Sequence, residues 1–267
     1  MGGWRTVRSV ATAAAILGAA GYATPAGAQS TLDAIKARGV LLGGVKYDTP
    51  PFGFVDQNNQ VVGFDVDLVR EIARAAGVKA ELVKVTSPTR IPMLVSGNVD
   101  IVAASMTHTP DREKTIDFSI TYYTGAQTLL VPDRSPIAGL KDLEGKTVAV
   151  QQGTTLEKNL AALAPGAKVL PFRDYTGAWL AVRQGRADAL TGSYDIMRGF
   201  LKGAPGFKIV GEKFSVEPFG IGIRKGDAGM RDFVNKALRD LWASRRYHEL
   251  YRKWFEVDPD IPIPGAQ

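Results

Sequence analysis

Apolar residues fall in short runs separated by glycine, proline and polar turns, and the runs alternate between strand-like and helix-like spacing. Val40 to Val45 is apolar throughout and ends at Lys46, which predicts a buried strand. Ahead of it, Leu32 and Ile35 share a helical face between a cap at Ser30 or Thr31 and a stop at Gly39. Beyond Pro50-Pro51 and Gly53, Val66, Val69, Ile72, Ala73 and Ala76 lie on one face of a helix that Asp65 would cap and Gly77 would end. Lys79 to Val85 predicts a second strand, Ile91 to Val95 a short helix, and Val99 with Ile101-Val102 a third strand. Strand, helix, strand, helix, strand is the order of an α/β unit with a largely parallel sheet.

The next part repeats the plan. Gly145 to Val150 has the glycine-then-strand form of Gly39 to Val45 and runs into a polar loop, Gln151 to Thr155. Helices follow at Thr155 to Leu163 and Asp174 to Arg183, with a strand near Val169-Leu170 between them. Q-G-R-A-D-A-L-T-G-S (Gln184 to Ser193) then echoes S-G-N-V-D-I-V-A-A-S (Ser96 to Ser105) in its glycine turn, its Asp and its closing Ser. Two long β-rich segments, Asp117 to Leu130 and Phe214 to Ile223, leave the first lobe and return to it. Asp227 to Phe255 reads as two helices with Leu238, Leu241 and Trp242 inside, placed back on the first lobe. The expected fold class is therefore α/β, with two α/β lobes of mixed sheets joined by two crossing hinge strands. Lobe 1 takes residues 30–124 and 220–258, lobe 2 takes 125–219, and 259–267 form a tail. Such a layout closes about its hinge.

One stretch carries candidate chemistry, Gly97 to Ser119. A strand ending in small residues would deliver Ser105, Thr107 and Arg112 to its carboxyl end, where open α/β sheets bind small ligands. Thr109 can cap a short helix starting at Pro110. Arg112 offers a planar fork for a carboxylate. It could equally be a surface residue paired with Asp111 or Glu113.

Composition narrows the function classes. Arg5 and Arg8, the apolar run Val10 to Ala20 and the ending Pro25-Ala26-Gly27-Ala28 form a secretory signal peptide, residues 1–28, with cleavage expected after Ala28. The run is short for a membrane span, and no second one follows. There is no cysteine, hence no disulfide and no cysteine-borne lipid. The 33 basic residues against 27 acidic ones are interspersed, without the basic block that marks nucleic-acid binding. Two histidines without cysteine make no recognisable transition-metal site, and no cofactor is expected. An exported monomer in the periplasm is the expectation.

V-V-G-F-D-V-D-L (Val61 to Leu68), S-G-N-V-D-I-V-A-A-S-M-T-H-T-P-D-R (Ser96 to Arg112) and I-D-F-S-I-T-Y-Y (Ile116 to Tyr123) resemble the periplasmic polar-amino-acid binding proteins of ABC importers, solute-binding protein family 3. L-K-D-L-E-G-K-T-V-A-V-Q-Q-G-T-T (Leu140 to Thr155) and Y-R-K-W-F (Tyr251 to Phe255) extend that resemblance over the whole exported chain. It implies a periplasmic binding protein fold of type II and capture of a small amino acid for delivery to an inner-membrane ABC permease. It further implies that Arg112 grips the α-carboxylate with Thr107 and the backbone near Thr154 and Thr155, that Asp195 holds the α-ammonium, and that Ser105 assists. Asp195 read without the family would simply cap the helix after it.

Lys46 stands where relatives for dibasic amino acids carry an acid, and Thr49 and Ser87 replace their aromatic residues. Lys46, Ser87, Arg90 and Tyr175 resemble the glutamate/aspartate-binding branch, and a buried cation pair would need an anionic guest. Lys46 could instead point to solvent, with Arg90 merely starting a helix. Gln151, where some relatives carry Lys, and Met106 in the loop would admit a neutral amide, which leaves glutamine, asparagine and cystine-like ligands open. Periplasmic cyclohexadienyl dehydratases resemble the chain too, but Asp195-Ile196-Met197-Arg198 lacks the acid that would serve them as general acid.

Overall fold

The computed structural model describes residues 1–3 and 30–259. The signal-peptide reading and nearly all of the expected tail lie outside these residues. None of the described helices is long and apolar enough to cross a membrane.

Two five-stranded sheets form the frame. In the first, the order is Lys79–Lys84, Val40–Val45, Ile101–Val102, Gly222–Arg224, Ile116–Phe118. Its first three strands are parallel and the last two antiparallel to their neighbours. In the second, the order is Lys168–Phe172, Thr147–Gln151, Ala189–Ser193, Gln127–Pro132, Phe207–Val210, again parallel at one edge and antiparallel at the other. Between them Tyr123–Gly125 pairs antiparallel with Glu217–Phe219, so the chain crosses twice along one two-stranded ribbon. This is the two-lobed α/β architecture with mixed sheets expected from the alternation of spacings.

Local chemistry sets the elements. Ser30 accepts from the Asp33 N–H at the start of helix Thr31–Arg38, and Gly39 closes that helix with φ 73°. Thr109 caps Pro110–Glu113, and Asp174 caps Tyr175–Arg183. The strand after Ser96-Gly97 keeps only Ile101–Val102; Asp100 just before it turns its carboxylate to the Leu42 N–H and to Arg38.

The helix of the first lobe differs from the expectation at its start. It runs Phe64–Ala75, and its first residue follows Gly63 at φ 141°, where a Cβ would fall 2.1 Å from the Phe52 carbonyl oxygen. Glycine is required there, and no side chain caps the helix. Asp65 and Asp67 are therefore not capping groups. Asp67 accepts from Lys253 Nζ at 2.7 Å and Trp254 Nε1 at 2.8 Å, tying the last helix to this one. Asp65 is fully buried and accepts from Tyr122 Oη at 2.7 Å, from the Ser105 N–H at 2.8 Å and from Ser105 Oγ at 3.3 Å. Ser105 needs that anchor, for its φ is 48°, a region that residues with a Cβ seldom occupy.

The core is aromatic where the ribbon meets the first lobe. Phe52 packs against Phe64, Tyr123, Phe219 and Phe255 with ring centroids 4.9–6.5 Å apart. Each such fully buried ring contributes about 1.5–3 kcal/mol by burial alone. Helices Ala228–Ala243 and Arg246–Phe255 cover this cluster. On the other side of the ribbon the lobes touch closely: a Cβ on Gly199 would lie 2.6 Å from the Pro50 carbonyl oxygen.

Replacing Asp65 by Ala strands the Tyr122 hydroxyl and the Ser105 N–H in the interior. We expect a loss of about 2–5 kcal/mol, read as a lower urea midpoint at unchanged slope.

Candidate functional site

Both lobes present the carboxyl ends of their parallel strands to each other. From the first come Lys46 after Val40–Val45, Ser87 and Arg90 after Lys79–Lys84, and Ser105 and Thr107 after Ile101–Val102. From the second come Gln151 at the end of its strand, Thr154 and Thr155 at the following helix start, and Tyr175 at the next one. All of these line one cavity of about 30 Å³, together with Ser193, Ile196, Glu217 and Phe219.

Lys46 bridges the lobes. It is 1 % exposed, and its Nζ donates to Ser87 Oγ and to Gln151 Oε1, both at 2.8 Å, while lying 5.8 Å from the Tyr175 ring centre. Burial, and next the charge of Arg90, bring the Lys46 ammonium down to about 7. Arg90 is 2 % exposed; its Nη1 donates to the Ala104 carbonyl at 2.8 Å. Burial and the nearby Arg112 pull its guanidinium well below the usual range. Among the described residues, neither cation has a carboxylate within hydrogen-bond reach. Tyr175, fully buried, has its hydroxyl pushed up by that burial.

Polar capacity in the cavity is left over. Among the described residues, Arg90 Nε, Gln151 Nε2 and Ser193 Oγ are buried without a hydrogen-bond partner, and all three side chains line this space. Such groups cost free energy unless something polar meets them.

Arg112 stands at the cavity's edge, on the wall of an adjoining groove that it shares with Thr154 and Thr155. Its Nη1 donates to the Thr107 carbonyl at 2.6 Å and its Nη2 to the Gly153 carbonyl at 3.2 Å, one from each lobe. It makes no ion pair with Asp111, which pairs with Lys114 and Lys158 instead. Glu113 likewise pairs elsewhere, with His108.

Asp195 is not with the others. It lies in the first turn of helix Tyr194–Leu201, accepts a hydrogen bond from Tyr123 Oη and sits 3.7 Å from Arg198 Nη1. It lines a separate cavity of about 410 Å³ with Pro50 and Trp254. The reason is rotation. The strand ends at Ser193, whose side chain does line the first cavity, and two residues further into a helix the direction has turned by about 200°. Nor does Asp195 cap the helix, whose N-cap residue is Ser193.

The carboxylate that does line the cavity is Glu217, in the returning strand of the ribbon. Its Oε2 accepts from Thr107 Oγ1 and Thr155 Oγ1, both at 2.6 Å, and its Oε1 from Asn159 Nδ2 at 2.8 Å. In sequence it belongs to F-S-V-E-P-F-G, legible only as a connection. The available signal was a single acid among Val216, Pro218 and Phe219 in a β-rich connecting segment.

Residues 41–257 match the bacterial extracellular solute-binding proteins, family 3. The chain is 36% identical over 247 residues to the ABC transporter glutamine-binding protein GlnH of Bacillus subtilis (strain 168), covering 91% of this chain and 90% of that one. It is 30% identical over 249 residues to the L-glutamate/L-aspartate-binding protein of Pseudomonas aeruginosa (strain PAO1), covering 88% of this chain and 81% of that one. A solved structure, an ancestral arginine-binding protein bound to glutamine, is 40% identical with a TM-score of 0.79 over 82% of this chain and 99% of that one.

Burying Lys46 as a cation is opposed by its surroundings, so the unfolded chain holds that proton more tightly than the folded one. Between pH 7 and the ordinary lysine range the folded protein sheds it first, and stability rises with pH across that window. In ligand-free protein we expect the urea midpoint to climb from pH 6.5 to 9.5 and Lys46→Met to flatten the climb; equal slopes in both proteins refute the assignment.

Proposed function

The chain belongs to the bacterial extracellular solute-binding proteins of family 3, and from that premise we propose that it captures glutamate or aspartate between its lobes and delivers it to the membrane permease of an ABC importer. It is a binding protein of polar-amino-acid import outside the cytoplasm, not an enzyme. The acidic ligand is the finer part of the proposal. It rests on one observation: Lys46 and Arg90 line the cavity with Arg112 at its edge, and the single lining carboxylate among the described residues, Glu217, is already held by three donors. An incoming side-chain carboxylate would neutralise Lys46 and Arg90 where water cannot. The α-carboxylate would meet Arg112 and the N–H groups at the start of helix Thr155–Leu163, a helix end suited to an anion. Ser87, Ser105, Thr107, Thr154, Thr155 and Tyr175 would complete the lining, acting as a monomer's two halves on one guest.

Glutamine or another polar amino acid is the alternative, which the named relatives support better than the acidic reading, and Gln151 supports glutamine. The Gln151 amide oxygen already accepts from both Lys46 and Ser87, so an amide carbonyl satisfies these donors without a charge. Glutamine is also what the Bacillus subtilis relative is named for and what the ancestral protein was solved with.

Calorimetry with both ligands separates them. A bound carboxylate raises the Lys46 pKa from about 7, so glutamate should bind with proton uptake at pH 7–8 and weaken as pH rises further. Glutamine should bind more weakly and without uptake; the reverse order removes the acidic reading. Arg112→Ala should cost about 2–5 kcal/mol of binding free energy for either ligand, and retained affinity would take Arg112 out of the site.

A further inference from the structure

We propose that Glu217, on the returning strand of the ribbon, receives the ligand's α-ammonium group. This rests on the reading of the ligand as an α-amino acid. The two charged groups of such a ligand hang on one carbon, so their partners must stand side by side. Arg112 and Glu217 do so through Thr107: Arg112 Nη1 donates to its carbonyl at 2.6 Å, and its hydroxyl donates to Glu217 Oε2 at 2.6 Å. Asp195 faces the other cavity, where the cation beside it is Arg198 at 3.7 Å and not Arg112.

Acceptor capacity agrees. A carboxylate offers about four lone-pair sites, and Thr107, Thr155 and Asn159 occupy three of Glu217's. A second acceptor adjoins the first. Gly125 is the cross-strand partner of Glu217, and directly opposed residues project to one face of a ribbon. On Gly125 a Cβ would lie 2.7 Å from Ser193 Oγ, so the partnerless Ser193 hydroxyl hangs over the face from which Glu217 rises. An ammonium between them would gain a carboxylate and a hydroxyl. With Lys46 and Arg90 lining the cavity and Arg112 at its edge, it would be repelled at any place not next to an acid.

A purely structural role, Glu217 as a strap holding Thr107 of one lobe to Thr155 of the other, predicts something different. Calorimetry on the full exported chain and on Glu217→Gln, using two ligand pairs that differ only in the ammonium, decides between them. The pairs are glutamate with glutarate and glutamine with glutaramate. In the unmodified protein the amino member of the better-bound pair should bind at least about tenfold more tightly than its desamino partner. In Glu217→Gln that gap should shrink to about threefold or less, with desamino affinity little changed. Equal loss across both members of a pair assigns Glu217 to the strap alone and overturns the proposal. So does an unmodified protein that binds the desamino acid as tightly as the amino acid, a result that needs no variant to fold. A protein that ranks glutamine above glutamate yet keeps the gap loses the acidic-ligand reading and keeps Glu217's role. Binding of none of the four removes both glutamate and glutamine as the ligand and overturns this assignment with them.

Discussion

Desolvated positive charge is the constraint on which the site depends. Lys46 and Arg90 lie within the protein with only 1 % and 2 % of their surface exposed, and a buried charge without a counter-ion costs several kcal/mol. The fold tempers that cost with dipoles: the Ser87 hydroxyl, the Gln151 amide oxygen and the Ala104 carbonyl each face a cation. These acceptors come from strand exits and the loops after them, where the parallel ladder stops and oxygens are left to find other donors. A neutral oxygen can orient a cation without cancelling it, which is why Lys46 stays shifted despite two good hydrogen bonds.

Much of this was legible in the amino-acid order because it is local. Strand and helix periods, the caps at Ser30 and Thr109, and the stop at Gly39 each depend on residues within a turn of one another. Residues set at strand exits were also legible: Lys46, Ser87, Ser105, Thr107, Thr154, Thr155 and Tyr175 share one cavity. What failed was direction and long-range partnership. Asp195 fell two residues beyond a strand that ended at Ser193, and the helical turn carried it away. Asp65 looked like a cap because a helix begins there, yet its partners Tyr122 and Ser105 lie 57 and 40 positions along the chain. Glu217 meets Thr107 across 110 positions, and no local pattern encodes such a meeting.

Contacts between the lobes are of two kinds, and their magnitudes differ. Lys158 with Asp111 and Lys202 with Glu256 are exposed pairs, screened by water and weakened by salt. The Asp48 carboxylate meeting the Tyr175 N–H at 2.7 Å, and the meeting of Glu217 with both threonines, are shielded by the lobes themselves. Closure is thus governed by the shielded set. A guest can bias it only by interacting with groups that the open arrangement separates, and Lys46 with Gln151 is one such couple.

Gly199 gives the closed arrangement its tolerance. Both sheets are complete inside their own lobes, so a methyl group at this position would leave each half intact. It would instead act as a doorstop, propping helix Tyr194–Leu201 off the Pro50 carbonyl and holding the clamshell ajar. The bare α-carbon is what lets the jaws meet, so the depth of the bite is fixed at a point that never touches the food.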